Sequence, residues 1–280
     1  MAGIAVVTDS TAYLPVELVS QLGVLVVPVQ VVVAGHSYDE GTGISSDEVA
    51  EALRTWRPVT TSRPAPARFL AAYRAAAEAG ATGIVSAHLS ADISGTVGSA
   101  RLAAGDSPVP VRVVDSRTIG MAMGFPVLSG AAAAADGASL DEVAAIVEKR
   151  CGESSALFYV DTLEYLRRGG RIGPAAARFG SALAVKPLLE VVDGRIMPLE
   201  KVRTSSKALA RLEELAVERA GVAAVDVAVH HLAARPRAEQ LAERLRQRVP
   251  GLGELRVSEV GAVVGAHVGP GMIAVAVVPR

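Results

Sequence analysis

The chain has 280 residues, 50% of them hydrophobic but only 4% aromatic, and a formal net charge of −1. That length can fill two domains with sizeable cores of Ala, Val, Leu and Ile, and the near-neutral balance gives no electrostatic reason to expect nucleic acid or an anionic membrane surface as a partner. A single cysteine, Cys151, excludes an internal disulfide and a cysteine-rich metal site.

Gly3 to Val7 predicts a buried first strand. It lacks the basic start and long apolar run of a secretory leader, so the expected location is the cytoplasm. Asp9, Ser10 and Thr11 follow as caps before a helix opened by Pro15. Asp9 reads either as a cap or as a polar group at the C-terminal edge of a parallel sheet, where ligands bind. Gly23 to Val33 is a long β-branched run, and Pro28 argues for an edge strand or a bend within it. Ser45 to Glu48 has capping-box spacing and starts a helix toward Leu53. Trp56 to Pro66 carries prolines at 58, 64 and 66 and predicts a stiff, extended loop. Within it Thr61 and Ser62 precede a helix running to about Ala79, as caps or as ligand donors.

Ile84 and Val85 open a short strand, Ala100 to Ala104 close a helix, and Ser94-Gly95-Thr96 lies between them. A strand passing through a hydroxyl-rich turn into a helix is how α/β proteins hold an anion, because the first helical N–H groups lack partners and the helix dipole is positive there. The alternative is that Ser94 or Thr96 only caps the helix. Val111 to Val114 ends in Asp115-Ser116, echoing Asp9-Ser10 and suggesting a polar rim on one sheet edge. Phe125 to Ala135 is apolar but far too short to span a bilayer. Ser139 to Glu142 is a second capping box, for a helix to about Arg150. The alternation of strand and helix predicts a mostly parallel sheet with helices on both faces.

Ala156 to Val160 is the next strand. Gly169-Gly170 then forces a turn among Arg167, Arg168 and Arg171, which reads as a helix C-cap or as a cationic knuckle for phosphate or an acidic partner. Asp193-Gly194 between Leu188–Val192 and Arg195–Leu199 is a hairpin signal. A helix ending near Gly221, a strand from Val225 to Val229, a charged helix from Arg237 to Val249 and late strands at Glu254–Val257 and Ile273–Val278 complete the chain. His230-His231 has no nearby third metal ligand. Gly261 to Gly271 predicts an irregular glycine-laid loop carrying His267, which either faces a ligand or is hydrogen-bonded within the loop.

No Gly-Lys dipeptide, G-x-G-x-x-G, H-E-x-x-H or G-x-S-x-G is present. What remains is a set of hydroxyls, Thr61, Ser62, Ser94 and Thr96, with His267, in a protein rich in aliphatic side chains. These groups can hydrogen-bond a carboxylate, and an apolar cavity behind them would suit a long-chain acid. A Ser94–His267–Asp9 hydrolase triad stays open, as does a lipid-sensing regulator.

Thr8-Asp9-Ser10, Thr61-Ser62-x-Pro64, Ile93-Ser94-Gly95-Thr96, Val114-Asp115-Ser116, Tyr165-Leu166-x-x-Gly169-Gly170-Arg171-Ile172, Lys186-Pro187 and Gly265-x-His267-x-Gly269-Pro270-Gly271, taken in order over nearly the whole chain, resemble the DegV family. The resemblance implies two α/β domains, set here at 1–155 and 156–280. The first holds a mostly parallel sheet with helices on both faces, the second a mixed sheet with helices, and a closed lipid tunnel lies at their junction. It implies a non-enzymatic, cytoplasmic fatty-acid-binding subunit that presents the carboxylate of a long-chain fatty acid to a separate ATP-binding kinase subunit. The acyl phosphate so made feeds phospholipid synthesis. No cofactor or metal is expected, and at most transient membrane contact. By the same resemblance, Thr61 and Ser94 hydrogen-bond the carboxylate and His267 lies beside the same head group; Ser62, Gly95 and Thr96, neighbours in the hydroxyl-rich stretches, complete the expected carboxylate site. Arg171, after the double glycine, and Arg203, after the late hairpin, are expected to face the partner or its phosphate. Two residues depart from the family pattern: Val97 stands where Tyr is usual, and Arg63 where an uncharged residue is common.

Overall fold

A computed structural model of the chain describes residues 3–172 and 186–280. The first half builds two sheets. One is fully parallel, with β1 (Ile4–Asp9), β2 (Leu25–Val27), β6 (Gly83–His88) and β7 (Val111–Asp115) in the order β2-β1-β6-β7. The other is a small antiparallel sheet of β3 (Gln30–Val33), β4 (His36–Asp39) and β5 (Val59–Ser62), in the order β4-β3-β5. The long β-branched run is therefore bent: α1 (Val16–Leu22) ends at left-handed Gly23, β2 stops before Pro28, and β3 resumes in the second sheet. A proline cannot donate to a ladder, so the break falls where it costs least.

Alternate side chains of the parallel sheet go to opposite faces. Val6, Val85 and Val114 meet Met123, Val127, Val143 and Val147 of α5 (Met121–Ala135) and α6 (Leu140–Glu153). Val7 and Ile84 meet Phe69, Tyr73, Ala100 and Ala103 of α3 (Pro66–Glu78) and α4 (Thr96–Ala104). Both capping boxes form: Ser45 with Glu48 opens α2 (Ser46–Arg54), and Ser139 with Glu142 opens α6.

The second half forms one mixed six-stranded sheet. It contains β8 (Ser155–Tyr159), β9 (Lys186–Val192), β10 (Arg195–Val202), β11 (Val225–His231), β12 (Leu252–Glu259) and β13 (Ile273–Pro279), ordered β10-β9-β8-β13-β11-β12. Only β11 and β12 run parallel. Leu157, Tyr159 and Leu188 pack under α8 (Ser205–Ala220) and α9 (Arg235–Arg248). Ala156, Phe158, Ala274 and Ala276 point the other way, toward the first half of the chain.

Among the contacts between the halves, two bear on the site. Asp193 and Gly194, both at positive φ, form the predicted hairpin turn. Its tip rests on the loops after β6 and β7: Ser90 Oγ donates to the Gly194 carbonyl at 2.7 Å, Arg117 to the Asp193 carbonyl at 3.0 Å, and Arg195 pairs with Asp92 at 3.0 Å. The second contact involves the glycine-rich stretch near the C-terminus, where the expectation of an irregular loop fails. Ala262–Val268 is a short helix, α10, seated on α2 and the small sheet through Val29, Val31, Val49, Val263 and Ala266. The glycines there make room for packing. A Cβ on Gly261 would overlap Glu40, and one on Gly265 would press on Leu232 at 3.2 Å. Tertiary burial stabilises a two-turn helix that its sequence alone would not hold. No helix among the described residues is long and apolar enough to cross a membrane.

Candidate lipid-binding site

Strand order reverses about β1 and β6, so the crevice at the carboxyl ends of these strands is where an open α/β sheet binds ligands. A cavity of about 260 Å³ opens there and runs between the parallel sheet and the six-stranded one. Most of its wall is apolar, including Leu89, Ile119, Phe158, Val191, Ile196, Met272 and Ala276. Its polar lining gathers Thr61, Ser62, Arg63, Ser94, Gly95, Arg171 and His267, from β5, the β6–α4 loop, the turn after α7 (Glu164–Arg168) and α10.

Thr61 Oγ1 lies 2.8 Å from His267 Nε2, joining residues 206 positions apart. Burial, aided by the Arg171 guanidinium, pushes His267 down to about 4, so its ring is neutral at physiological pH. The other ring nitrogen, Nδ1, is buried without a hydrogen-bond partner. Ser94 Oγ lies 2.9 Å from Thr96 Oγ1. Neither residue caps α4: Gly95 occupies the N-cap position and no side chain bonds the first turn. Ser94 and Gly95, at the start of α4, line the cavity, a position that suits an anionic oxygen.

The remaining predicted residues fall in different places. Thr96 is buried behind Ser94, whereas Ser62 sits at the exposed rim and donates to the carbonyl of Arg63 at 3.2 Å. Arg63 lies across Gly95, where a Cβ would come within 2.7 Å of its guanidinium. Arg171 lines the cavity, half-buried, and donates to the carbonyls of Ile93 and Gly169, so it pins the turn after α7 to the Ser94 loop. Burial holds its guanidinium below the ordinary value. Arg203 is exposed between β10 and α8 and does not line the cavity.

The imagined Ser94–His267–Asp9 triad does not form, because Ser94 turns to Thr96 and His267 to Thr61. Asp9 instead accepts from Thr11 and Leu89 N–H at 3.0 Å each and pairs with His88 at 3.1 Å. His88 continues to Ser86 and Tyr73 in a chain fully removed from solvent. That network ties the ends of β1 and β6 together. His230 also lines the cavity, but both its ring nitrogens are engaged: Nε2 accepts from Met121 N–H at 3.0 Å and Nδ1 lies 2.9 Å from Ser258 Oγ. No group of residues among those described could hold a metal ion.

Sequence reasoning missed Glu40. It is buried, accepts from Ser10 Oγ at 2.5 Å and from the Val263 N–H at 2.8 Å, and so caps α10 from the far half of the chain. Nothing local in the sequence announces a cap supplied across 223 positions.

The profile described as "Uncharacterised protein, DegV family" matches residues 3–280. A DegV domain-containing protein of Streptomyces coelicolor is 60% identical over 277 residues, 99% of each chain. Among solved structures, a DegV family protein from Thermus thermophilus described as binding fatty acid superposes with a TM-score of 0.94 at 33% identity, covering 99% of this chain and 100% of that one. DegV from Bacillus subtilis, described as a fatty acid binding protein, superposes with a TM-score of 0.91 at 34% identity over 100% of both chains. The chain belongs to the DegV family.

Proposed function

We propose that this protein binds a long-chain fatty acid in the cavity and presents its carboxylate to a separate ATP-binding kinase subunit, which forms the acyl phosphate used in phospholipid synthesis. The observation that carries the binding is the layout of the cavity, an apolar interior with hydroxyls, a neutral histidine and the Ser94-Gly95 start of α4 in its polar lining. The fatty-acid-binding relatives at 33% and 34% identity support the same ligand class. Burying roughly fifteen methylenes at about 0.8 kcal/mol each gives a gross gain near 12 kcal/mol before ordering costs, so the ligand should survive purification. Thr61 and Ser94 hold the carboxylate, with His267 behind Thr61 and Gly95, Thr96 and Ser62 shaping the site. The hydrolase reading is disfavoured because no imidazole stands against Ser94 Oγ to take its proton.

The kinase partnership rests on the cations. Arg171 at the cavity and exposed Arg203 carry forked donors suited to phosphate oxygens or a partner's carboxylates. The test has two stages. Mass spectrometry of lipid extracted from the purified protein should find a stoichiometric long-chain acid; an empty site after gentle purification overturns the binding assignment. With a cognate kinase, Arg171→Ala and Arg203→Ala should keep their lipid and form less acyl phosphate. Wild-type turnover in both variants would remove the presentation role.

A further inference from the structure

The two glycines after α7 have different reasons to be glycine. Gly170 has φ of 71°, a left-handed conformation that side chains disfavour, and open space where a Cβ would go. Gly169 has φ of −70° and ψ of −14°, a helical conformation that any residue adopts. What forbids a side chain at 169 is space, because a Cβ there would overlap His267 Nδ1. Gly169 therefore closes over the one nitrogen of His267 that has no hydrogen-bond partner.

That closure decides where the ring proton sits. A neutral imidazole carries one N–H and one bare nitrogen. A proton on Nδ1 would be a buried donor aimed at Gly169 with nothing to receive it, and orphaned buried N–H groups are rarer and costlier than orphaned acceptors. The proton belongs on Nε2, 2.8 Å from Thr61 Oγ1. Thr61 then accepts from the imidazole, and its own hydroxyl hydrogen is free to turn into the cavity that it lines.

We propose that Gly169 is a positioning residue of the head-group site: by sealing His267 Nδ1 it fixes the ring as an Nε2–H donor, which makes Thr61 a donor to the ligand and favours a head group that accepts there, as a carboxylate oxygen does. The proposal rests on the fatty-acid reading for its ligand but not for its first test. In ligand-free protein labelled with 15N histidine, His267 should show a protonated Nε2 and a bare Nδ1 throughout the neutral range. A protonated Nδ1 overturns the proposal, whether or not the protein binds lipid; absence of any bound or bindable fatty acid overturns the reading instead and leaves the tautomer standing.

The second test uses fatty-acid affinity. Gly169→Ala should push the ring off Thr61 and weaken binding about tenfold, the loss of one hydrogen bond to a charged group. Because the two residues act through one relay, the Gly169→Ala/Thr61→Val double variant should bind no worse than Thr61→Val alone. Additive losses would mean that Gly169 matters only for packing, and would overturn the relay. A third pair keeps the idea testable if Gly169→Ala fails to fold. His267→Gln retains an N–H that can reach Thr61 and should hold most of the affinity, whereas His267→Leu should fall to the level of Thr61→Val. Equal affinities in the Gln and Leu variants count against the relay.

Discussion

Replacing Glu40 with glutamine should make the protein more stable than the wild type above neutral pH and leave it little changed in mild acid. Glu40 is 6% exposed, and burial raises its carboxyl from 4.5 to about 7, with the nearby charge of Asp9 adding to the rise. Its bonds from Ser10, Val263 and Tyr13 oppose the shift without cancelling it. A rise of that size corresponds to about 3 kcal/mol of penalty on the ionised form in the fold. The sign follows from proton counting: in the window from 4.5 to about 7 the folded chain holds a proton that the unfolded chain has released. Stability contributed by protonated Glu40 is therefore complete below the unfolded value and is lost as pH rises through the folded one. Glutamine cannot ionise, and its side-chain oxygen can still accept from Val263. The difference in unfolding free energy between Glu40→Gln and wild type should thus grow by about 3 kcal/mol across that window and then level off, less whatever the Ser10 bond loses. Urea unfolding of both proteins at matched pH values measures this directly, because every other titrating group cancels in the difference. Parallel stability profiles would show that Glu40 ionises at an ordinary pH and that burial does not govern it.

Three further outcomes follow from the site. Thr61→Val and Ser94→Ala should each weaken fatty-acid binding by about 1.5–3 kcal/mol, the worth of a hydrogen bond to a charged group, while an apolar chain still enters; a competitive displacement assay reads the loss. Ala276→Leu, from the pair that Ala276 makes with Ala156 across β13 and β8, should fill part of the cavity and shorten the acyl chains recovered by mass spectrometry; an unchanged chain distribution would place the ligand elsewhere. Ser90→Ala removes the 2.7 Å bond to the hairpin tip and should speed fatty-acid dissociation several-fold by stopped-flow, since a buried carbonyl left unpaired costs about 1–3 kcal/mol.

The sequence made the local features legible. Capping boxes at Ser45 and Ser139, the Asp193-Gly194 turn and the alternation of strand with helix all depend on neighbours within a few residues, and all stand in the structure. Thr61 and Ser94 read from the sequence as hydroxyls before helices, ambiguous between cap and ligand site; in the structure Thr61 lies on β5 and the N-cap position of α4 is Gly95, so neither residue caps the helix that follows it. Three things were hidden because they depend on distant partners. The chain fold that seats Ala262–Val268 as a helix is set by α2 and the small sheet, more than 200 residues earlier in contact terms, through bonds such as that of Glu40 to Val263. The pairing of Thr61 with His267 spans a similar distance. The space requirement at Gly169 could not be separated from the turn requirement at Gly170 by composition alone.

The place of β13 in its sheet bears on how the protein comes to exist. This strand follows the other five in the chain yet lies inside the order β10-β9-β8-β13-β11-β12, bonded to β8 on one side and β11 on the other. During synthesis, the β8–β9–β10 meander and the β11–β12 pair must wait as separate pieces, each with an open edge, until residues 273–279 leave the ribosome and join them. The wall of the cavity that carries Ala274 and Ala276 arrives in the same event. A nascent chain is thus unable to enclose its ligand early, and the interval before β13 docks is when its unpaired edges are most exposed to misassembly and to chaperones.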